Sequence, residues 1–389
     1  MHIAIDYTSA IRQRAGIGTY TRSLVAALLA QDSNNRYTLL TSGRPDYPLL
    51  FPRAENVRIH SLPISERSLN VLWQRWHMFI PATLFTGPAD IYHGPDFVLP
   101  PLAKKTRKIV TIHDLAFLTH PEYSTPALAD YLRQAVPRAI ATADVVATIS
   151  HEVSRTLIEH LHTPREKLVV VPNGVSAAFR RISDPIILDA TRYKFNLKQP
   201  FVLAVGTLEP RKNHASLIKA FHQVHKKKNG PVQLVIAGGT GWRYEETRQL
   251  VAELKLEKKV RFLGRVSELE LITLYSLAAV FAFPSFFAGF GIPVLEAMAC
   301  GAPVITANTS SLPEVAGDAA LLVDPHNSDQ LAAAITRLLT DEQLREELRQ
   351  KGYQRAQHYN WEVSARKMLT IYQKLSDGHT DFKDEGALQ

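Results

Sequence analysis

Short runs of apolar, β-branched residues alternate with longer stretches of helical periodicity along the whole chain of 389 residues. Several of these runs are almost continuously apolar, which is typical of strands buried on both faces of a sheet. Helical stretches between such strands indicate βαβ units and therefore parallel sheets. The predicted strands are 2–6, 36–41, 56–61, 89–94, 107–114, 144–150 and 167–174 in the first half, and 201–206, 232–238, 260–264, 279–285, 302–307 and 319–324 in the second.

The two series of predicted strands indicate two domains rather than one. The segment 175–185 lacks clear periodicity, and we interpret it as the linker region. We therefore expect an N-terminal Rossmann-like domain over 1–178 and a C-terminal one over 179–360, with a flexible tail at 377–389. The predicted fold class is α/β, with two parallel sheets facing across a cleft. A ligand should bind there, at the carboxyl ends of the strands.

The composition is that of a water-soluble globular protein, with 46% hydrophobic and 21% charged residues. Cys300 is the single cysteine, which rules out a disulfide within the chain and disfavours a cysteine-based metal cluster. The first residues lack the apolar run of a signal peptide, and no window is long and apolar enough for a membrane span. These features predict a cytoplasmic protein.

The formal net charge is +8, which is compatible with solubility alone, with anionic ligands or with peripheral contact to the inner, anionic membrane face. Nucleic acid is not an expected partner, because the basic residues form no long run with interleaved aromatics. The stretch 70–80 combines Trp73, Trp76, Met78 and Phe79 with Arg75. It is compatible with an acceptor site, with a membrane contact or with a helix packed inside the N-terminal domain.

Two candidate features lie in the N-terminal half. Gly16 and Gly18 precede a helical segment after the first strand. A glycine-rich helix N-terminus can hold an anion, although a tight turn would also require glycine, and the spacing is not that of the dinucleotide fingerprint. His113, followed by Asp114, lies at the carboxyl end of a predicted strand. It is either a structural histidine or a residue that faces the ligand.

Two further candidates lie in the C-terminal half. Arg211 and Lys212 follow its first strand, where two cations can neutralise a diphosphate, the alternative being a solvated surface pair. Glu296 is the polar residue of an apolar helix that begins near Pro293 and ends at Gly301. A buried carboxylate requires a partner, and a ribose diol offers two hydroxyl donors. The histidines show no metal-ligand spacing, so neither a metal nor a cofactor is expected.

The motifs of this chain, taken together and in this order, resemble those of family 4 of the retaining glycosyltransferases, which have the GT-B architecture. The resemblance covers nearly the whole chain. Its motifs are GIGTYTRSL, HGPDFVLPP, IHDLAFLTHPEYS, VVPNGV, VGTLEPRKNH, LVIAGG, VRFLGRVS, PSFFAGFGIPVLEAMACG and SSLPEVAGDAALLVDP.

The resemblance implies a nucleotide-sugar donor and assigns residues to it. His113 would lie beside the transferred sugar, Arg211 and Lys212 would stabilise the leaving diphosphate, and Glu296 would bind the ribose. The helix 361–376 would complete the N-terminal domain. The other residues that the resemblance places at the phosphate, sugar or base are Gly16, Gly18, Gly264, Arg265, Val266, Ala288, Gly289, Phe290 and Gly291.

The chain departs from the family pattern at Ala288. Relatives usually carry a glutamate at this position, and the resemblance implies that its carboxylate binds hydroxyl groups of the sugar. Whether the alanine is natural or introduced, we expect the loop around it to face the open cleft. The resemblance implies metal-independent transfer of a hexose, mannose slightly favoured, from a GDP- or UDP-sugar to a glycan or lipid-linked acceptor. A nucleotide-sugar 2-epimerase, a nucleotide-sugar-binding partner protein of low activity and, less well, a Rossmann-type dehydrogenase remain open.

Overall fold

The computed structural model describes residues 1–14, 16–46, 51–75, 80–226, 231–379 and 381–382. The strands are β1 (His2–Asp6), β2 (Arg36–Ser42), β3 (Val57–Leu62), β4 (Ile91–Gly94), β5 (Arg107–Ile112), β6 (Val145–Thr148), β7 (Leu168–Val170), β8 (Phe201–Val205), β9 (Gln233–Ala237), β10 (Val260–Gly264), β11 (Val280–Phe283), β12 (Val304–Ala307) and β13 (Ala320–Val323). Each of the strands predicted from the apolar runs is present, so the strand prediction is confirmed.

The helices connect the strands in the alternating order that the sequence predicts. They are α1 (Thr8–Arg12), α2 (Ile17–Gln31), α3 (Glu66–Asn70), α4 (Thr83–Thr86), α5 (Ala116–Thr119), α6 (Pro126–Thr142), α7 (His151–Leu161), α8 (Pro185–Phe195), α9 (His214–Lys226), α10 (Tyr244–Glu253), α11 (Glu268–Leu277), α12 (Ile292–Ala299), α13 (Leu312–Ala316), α14 (Ser328–Thr340), α15 (Glu342–Gln357) and α16 (Trp361–Ser376). Short helical turns cover Val71–Arg75, Pro121–Tyr123, Arg165–Lys167 and Pro210–Lys212.

Internal contacts divide the chain into two compact units. The N-terminal unit comprises Met1–Gly174 with Trp361–Gln389, and the C-terminal unit comprises Val175–Asn360. Among the described residues, the first contains a seven-stranded parallel sheet of order β3-β2-β1-β4-β5-β6-β7 and the second a six-stranded parallel sheet of order β10-β9-β8-β11-β12-β13. The strand order reverses between β1 and β4 in one sheet and between β8 and β11 in the other. Ligands bind at the carboxyl ends of such switch points.

The sheet of the C-terminal unit is covered by helices whose apolar stripe follows from the sequence. In α9, Leu217, Ile218, Phe221 and Val224 are fully or almost fully buried, at the i, i+1, i+4 and i+7 spacing of one helix face. This face belongs to the same buried cluster as strand residues such as Val202. The apolar packing holds the carboxyl ends of the strands in place and leaves their loops free to carry polar groups.

The last helix, α16, belongs to the N-terminal unit although it follows the whole C-terminal unit in the sequence. Its buried residues Trp361, Ala365, Met368, Tyr372 and Leu375 form one stripe, and the helix packs against α2. The chain thus leaves the N-terminal unit after Gly174, forms the C-terminal unit and returns to the N-terminal unit at Trp361.

The aromatic stretch 70–80 is described only in part. Residues 76–79 and the side chain of Arg75 lie outside the described residues, so an acceptor or membrane contact there stays a prediction. Trp73 lies in the turn Val71–Arg75, and its indole N–H donates to the carbonyl oxygen of Ile80 over 3.0 Å. Within the part of the chain that the structure describes, no helix is both long enough and apolar enough to span a bilayer.

Candidate functional site

Three adjacent strands of the C-terminal unit reach their carboxyl ends at glycines. Gly206 follows β8 and donates its N–H to Ala237 over 3.0 Å, and Gly238 follows β9 and donates to Gly264 at the end of β10 over 2.8 Å. A Cβ atom on Gly238 would lie 1.9 Å from the carbonyl oxygen of Gly206. The close approach of these strand ends therefore requires glycine at position 238.

Lys212 lies at the switch point of this sheet. Its side chain passes Gly206, where a Cβ atom would lie 3.4 Å from the lysine Cδ. Its ammonium nitrogen is 4.8 Å from the ring centroid of Phe283, the last residue of β11. Because β8 and β11 are the strands between which the order reverses, the lysine charge lies where an α/β sheet binds its ligand.

Arg211, the second predicted cation, is paired within the protein. Its guanidinium donates to Oε1 of Glu209 over 2.8 Å, and its side chain is 26% exposed. It also donates to the carbonyl oxygen of Phe287 over 3.3 Å, while its own carbonyl accepts from the N–H of Phe286 over 3.0 Å. Arg211 thus joins the loop after β8 to the loop after β11. Sequence reasoning missed Glu209, although a carboxylate two residues from an arginine is a signal for such a pair.

The loop after β11 that contains Gly289 and Gly291, residues 286–291, is called the glycine loop. Hydroxyl groups from the loop after β12 hold it in place. The N–H of Ala288 donates to Oγ of Ser310 over 3.1 Å, and the hydroxyl of Ser311 lies 2.7 Å from the carbonyl oxygen of Ala288, to which it donates. Ser311 also lies 3.0 Å from the carbonyl oxygen of Phe290. Sequence reasoning missed these serines; their signal is the hydroxyl-rich run directly after a strand.

Ala288 itself is buried, with 4% of its surface exposed. The side chain at position 288 is therefore not accessible to solvent, contrary to the expectation of an open position. Its N–H and its carbonyl oxygen are hydrogen-bonded to Ser310 and Ser311. Gly289 and Phe290 complete the loop, and Gly291, at a φ of 106°, precedes the first residue of α12. Pro293 lies in the first turn of this helix, and Gly301 follows its end, which confirms the predicted limits.

Glu296 lies on α12 between the fully buried Leu295 and Ala297 and is itself partly buried. The hydroxyl of Tyr275 donates to its Oε2 over 3.0 Å. Burial raises the pKa of Glu296 to about 7; the Tyr275 hydrogen bond lowers this pKa and the charge of Glu268 raises it further. Sequence reasoning expected a partner for this carboxylate but missed the tyrosine. A carboxylate has further lone pairs, with which it can accept from a diol.

The end of β10 and the turn after it contain the residues expected at the base. Gly264 and Arg265 are exposed and Val266 is partly exposed. The guanidinium of Arg265 packs over Gly239, where a Cβ atom would lie 2.9 Å from the arginine Nε. Ser267 then begins α11 with a capping box. The turn therefore presents backbone groups at the carboxyl end of its strand, on the same sheet as Lys212.

In the N-terminal unit, the two candidate glycines differ in their surroundings. Gly16, at a φ of 60°, precedes the first residue of α2, and a Cβ atom there would meet nothing within 4 Å. At Gly18 a Cβ atom would lie 1.8 Å from the carbonyl oxygen of Gln13. Gly18 is thus required by packing of the turn, whereas Gly16 opens a helix N-terminus that can accept an anion.

His113 directly follows β5 and is 6% exposed. Its Nε2 lies 2.7 Å from the carbonyl oxygen of Pro95, and the ring of Tyr20 packs edge-on at 4.7 Å between centroids. Burial lowers its pKa to about 4, so the imidazole is neutral at pH 7. Since a carbonyl oxygen can only accept, Nε2 carries the proton and Nδ1 is an acceptor. Asp114 accepts from the N–H of Ala116 over 3.0 Å and so begins the next loop.

The residues that the structure describes contain no group of three or more His, Cys, Asp or Glu side chains placed to hold a metal ion. Within the C-terminal unit, the structure brings Lys212, Arg211 and the glycine loop to one sheet edge. It gives Glu296 a hydrogen-bonded environment on the helix that follows this loop. The arrangement suits an anionic ligand that also carries hydroxyl groups.

Comparisons with known proteins find similar sequences over both halves of the chain. A family model described as Glycosyltransferase Family 4 matches residues 14–179, and one described as Glycosyl transferases group 1 matches residues 188–355. O-antigen chain mannosyltransferase B of Escherichia coli is 34% identical over 286 residues, which are 73% of this chain and 74% of that protein.

Two solved structures resemble the chain over nearly its whole length. Sucrose-phosphate synthase from Thermosynechococcus elongatus has a TM-score of 0.79 at 24% identity, covering 97% of this chain and 100% of the other. Anabaena Alr3699/HepE, in complex with UDP and glucose, has a TM-score of 0.72 at 20% identity, covering 96% and 99%. Their likeness shows the fold, two Rossmann-like domains of the GT-B class. With its matches to both family models and to the mannosyltransferase, the chain belongs to the family 4 type of glycosyltransferases, whose C-terminal domain is the glycosyl transferases group 1 domain.

Proposed function

We propose that this glycosyltransferase moves a mannosyl residue from GDP-mannose to a glycan or lipid-linked sugar acceptor, with retention of the anomeric configuration and without a metal ion. The mannose is supported by the 34% identity to the E. coli mannosyltransferase. A UDP-sugar is the second candidate donor, because a structural neighbour was solved with UDP and glucose.

The observation that carries the proposal is the composition of one sheet edge in the C-terminal unit. Lys212 places its charge at the switch point, 4.8 Å from the Phe283 ring centroid, and Arg211 is hydrogen-bonded to the glycine loop. Glu296 lies on the helix that follows this loop. Two cations suit the diphosphate, and the carboxylate suits the ribose diol. In this proposal the turn Gly264–Val266 contacts the base.

The proposed chemistry depends on positioning and on charge. Arg211 and Lys212 stabilise the negative charge that develops on the leaving diphosphate, and the leaving phosphate accepts the proton of the acceptor hydroxyl. From the N-terminal unit, we propose that His113 accepts a hydrogen bond from the transferred sugar at Nδ1. Gly16 and Gly18 would add a contact to the donor phosphate through the helix N-terminus.

The loss of the usual family glutamate at position 288 leaves the sugar without that carboxylate. Ala288 offers no side-chain acceptor, and its backbone groups are bonded to Ser310 and Ser311. The proposal therefore assigns recognition of the sugar to the backbone of Gly289 and Phe290 and to His113. If those groups do not replace the carboxylate, the protein would bind nucleotide sugars but transfer the sugar slowly.

The first experiment measures thermal stabilisation by GDP, UDP, GDP-mannose and UDP-glucose, because a ligand of the folded state raises the melting temperature by mass action. Lys212→Ala should lower nucleoside diphosphate affinity by about 1–3 kcal/mol, which is about 5- to 150-fold. The matched control is Lys219→Ala, an exposed lysine of α9. Equal affinity in both variants would remove Lys212 from the site.

The second experiment follows turnover of GDP-mannose with mannose-terminated oligosaccharides as acceptors, and NMR of the product reports the anomeric configuration. An inverted linkage would overturn retention. Formation of an isomerised sugar nucleotide in the absence of acceptor would instead identify an epimerase. Binding of the donor without any turnover would identify a nucleotide-sugar-binding protein.

A further inference from the structure

Tyr275 and Glu296 form a buried pair that joins two helices of the C-terminal unit. Tyr275 lies on α11 and is fully buried, and its hydroxyl donates to Oε2 of Glu296 on α12 over 3.0 Å. Its ring packs edge-on against Phe281, 5.3 Å between centroids, and against Phe179 at 6.3 Å. The ring is thus fixed from two sides, and the direction of its hydroxyl is fixed with it.

A glutamate has three side-chain torsions, so a carboxylate that must meet a diol needs a group that holds it in one orientation. The tyrosine hydroxyl supplies this at one oxygen of Glu296 and leaves lone pairs on both oxygens for other donors. Two hydroxyls of a ribose can accordingly be accepted by a carboxylate that is already oriented. Preorganisation of this kind increases affinity because less freedom is lost on binding.

Resting on the proposed function, we infer that Tyr275 is a positioning residue that orients Glu296 toward the donor ribose and thereby sets the preference for a ribonucleotide over a 2′-deoxyribonucleotide. Neither the family comparison nor the sequence motifs assign a role to this tyrosine. Its part is indirect, since Glu296, and not Tyr275, contacts the ligand.

The chain offers a matched control in its N-terminal unit. Tyr37 is also fully buried, and its hydroxyl donates to Oδ2 of Asp32 over 2.5 Å. Tyr37→Phe therefore removes the same kind of hydrogen bond from a buried carboxylate that has no part in the proposed site. A loss of stability common to both variants will show the general cost of removing such a hydroxyl.

The experiment measures the dissociation constants of GDP and 2′-deoxy-GDP by calorimetry. If the protein binds UDP rather than GDP, UDP and 2′-deoxy-UDP are used instead. We expect Tyr275→Phe to bind GDP about 3- to 10-fold more weakly, the range of one hydrogen bond, and to lose most of the ribose preference of the parent. Tyr37→Phe should keep both dissociation constants. An unchanged ratio of the two constants in a folded Tyr275→Phe variant would overturn the inference.

If Tyr275→Phe does not fold, site-specific incorporation of 4-aminophenylalanine and 4-methylphenylalanine at position 275 replaces it. Both fill the space of the tyrosine, but only the amine can donate, so the amine should retain the ribose preference and the methyl group should lose it. Equal ratios in the two proteins would overturn the inference. The proposed function fails separately, if the parent binds no nucleoside diphosphate or if Glu296→Gln keeps the ribose preference.

Discussion

The guanidinium of Arg211 is paired with the carboxylate of Glu209, 2.8 Å away, although it is one of the two cations that we assign to the diphosphate. Both side chains are largely shielded, at 26% and 19% exposure. Part of the positive charge at this sheet edge is therefore neutralised before a ligand arrives. The pair also fixes the direction of the arginine, which orders the loop at the end of β8.

This pairing predicts that Arg211→Ala weakens nucleoside diphosphate binding in two ways. The variant loses a charge-assisted bond, and it leaves Glu209 as an unpaired negative charge near the phosphates. The double variant Glu209→Gln/Arg211→Ala should therefore bind better than Arg211→Ala alone, by calorimetry at low salt. Equal affinity of the two variants would show that Glu209 does not face the bound phosphates.

Glu296 should make both donor binding and stability depend on pH near neutrality. Its pKa is raised to about 7 by burial, so the protonated form predominates below this value and cannot accept from both hydroxyls. Affinity for a nucleoside diphosphate should fall as the pH falls through 7. Ionisation of a carboxyl whose folded-state pKa lies above its unfolded value costs stability as the pH rises from about 4.5 to 7.

Glu296→Gln should accordingly bind the donor weakly at every pH, yet melt at a higher temperature than the parent at pH 8. At pH 5 the two melting temperatures should converge, because the parent carboxyl is then neutral. Scanning calorimetry at both pH values, with Glu257→Gln as an exposed control in the same unit, tests the sign. A stability difference that is the same at both pH values would contradict the raised pKa.

The fold could be predicted from sequence to a large extent because its signals are local. The run at 201–206 predicts a strand, and β8 covers Phe201–Val205. The predicted strands extend too far at their carboxyl ends where a glycine or a polar residue follows, since periodicity does not show where the hydrogen bonds between strands stop. The last helix also followed from its own apolar stripe.

The partners of the site residues could not be predicted, because they come from distant parts of the chain. Glu296 meets Tyr275 from the preceding helix, and the loop at Ala288 is bonded to Ser310 from the next strand's loop. No periodicity links these positions. The burial of Ala288 was missed for the same reason. A glycine-rich loop suggests an exposed side chain, and the local sequence does not show the tertiary packing that buries it.

Removal of metal ions should leave donor binding and transfer intact. In the proposed site the charge of the diphosphate is met by Arg211, Lys212 and helix N-termini rather than by a metal. Dialysis against EDTA, followed by calorimetry with GDP and by a turnover assay with and without added magnesium or manganese, measures this. A strict requirement for either ion would contradict the proposed electrostatics.

Ala288→Glu, which introduces the glutamate usual in relatives, should destabilise this chain. Position 288 is 4% exposed, and its backbone groups are bonded to Ser310 and Ser311. Burial of a polar group without a partner costs about 1–3 kcal/mol or more. We expect a lower melting temperature than for Ala288→Ser and no gain in turnover. A glutamate variant with parental stability and faster transfer would show that the loop opens and that the family role can be restored.

His113 should make the protein sensitive to acid but should not titrate near neutral pH. Its pKa is lowered to about 4 by burial, whereas an unfolded histidine titrates near 6.5, so the unfolded chain binds the proton first. Stability is therefore lost as the pH falls from about 6.5 toward 4.

His113→Gln keeps an N–H donor for Pro95 and removes this loss of stability, so its melting temperature should fall less than that of the parent between pH 7 and 5. Because the imidazole of His113 stays neutral above pH 5, turnover by the parent should show no ionisation from this residue between pH 6 and 8. An acid sensitivity in His113→Gln equal to that of the parent would mean that the ring takes up its proton in the folded state as easily as in the unfolded one, and the assignment of Nδ1 as a standing acceptor for the sugar would fail.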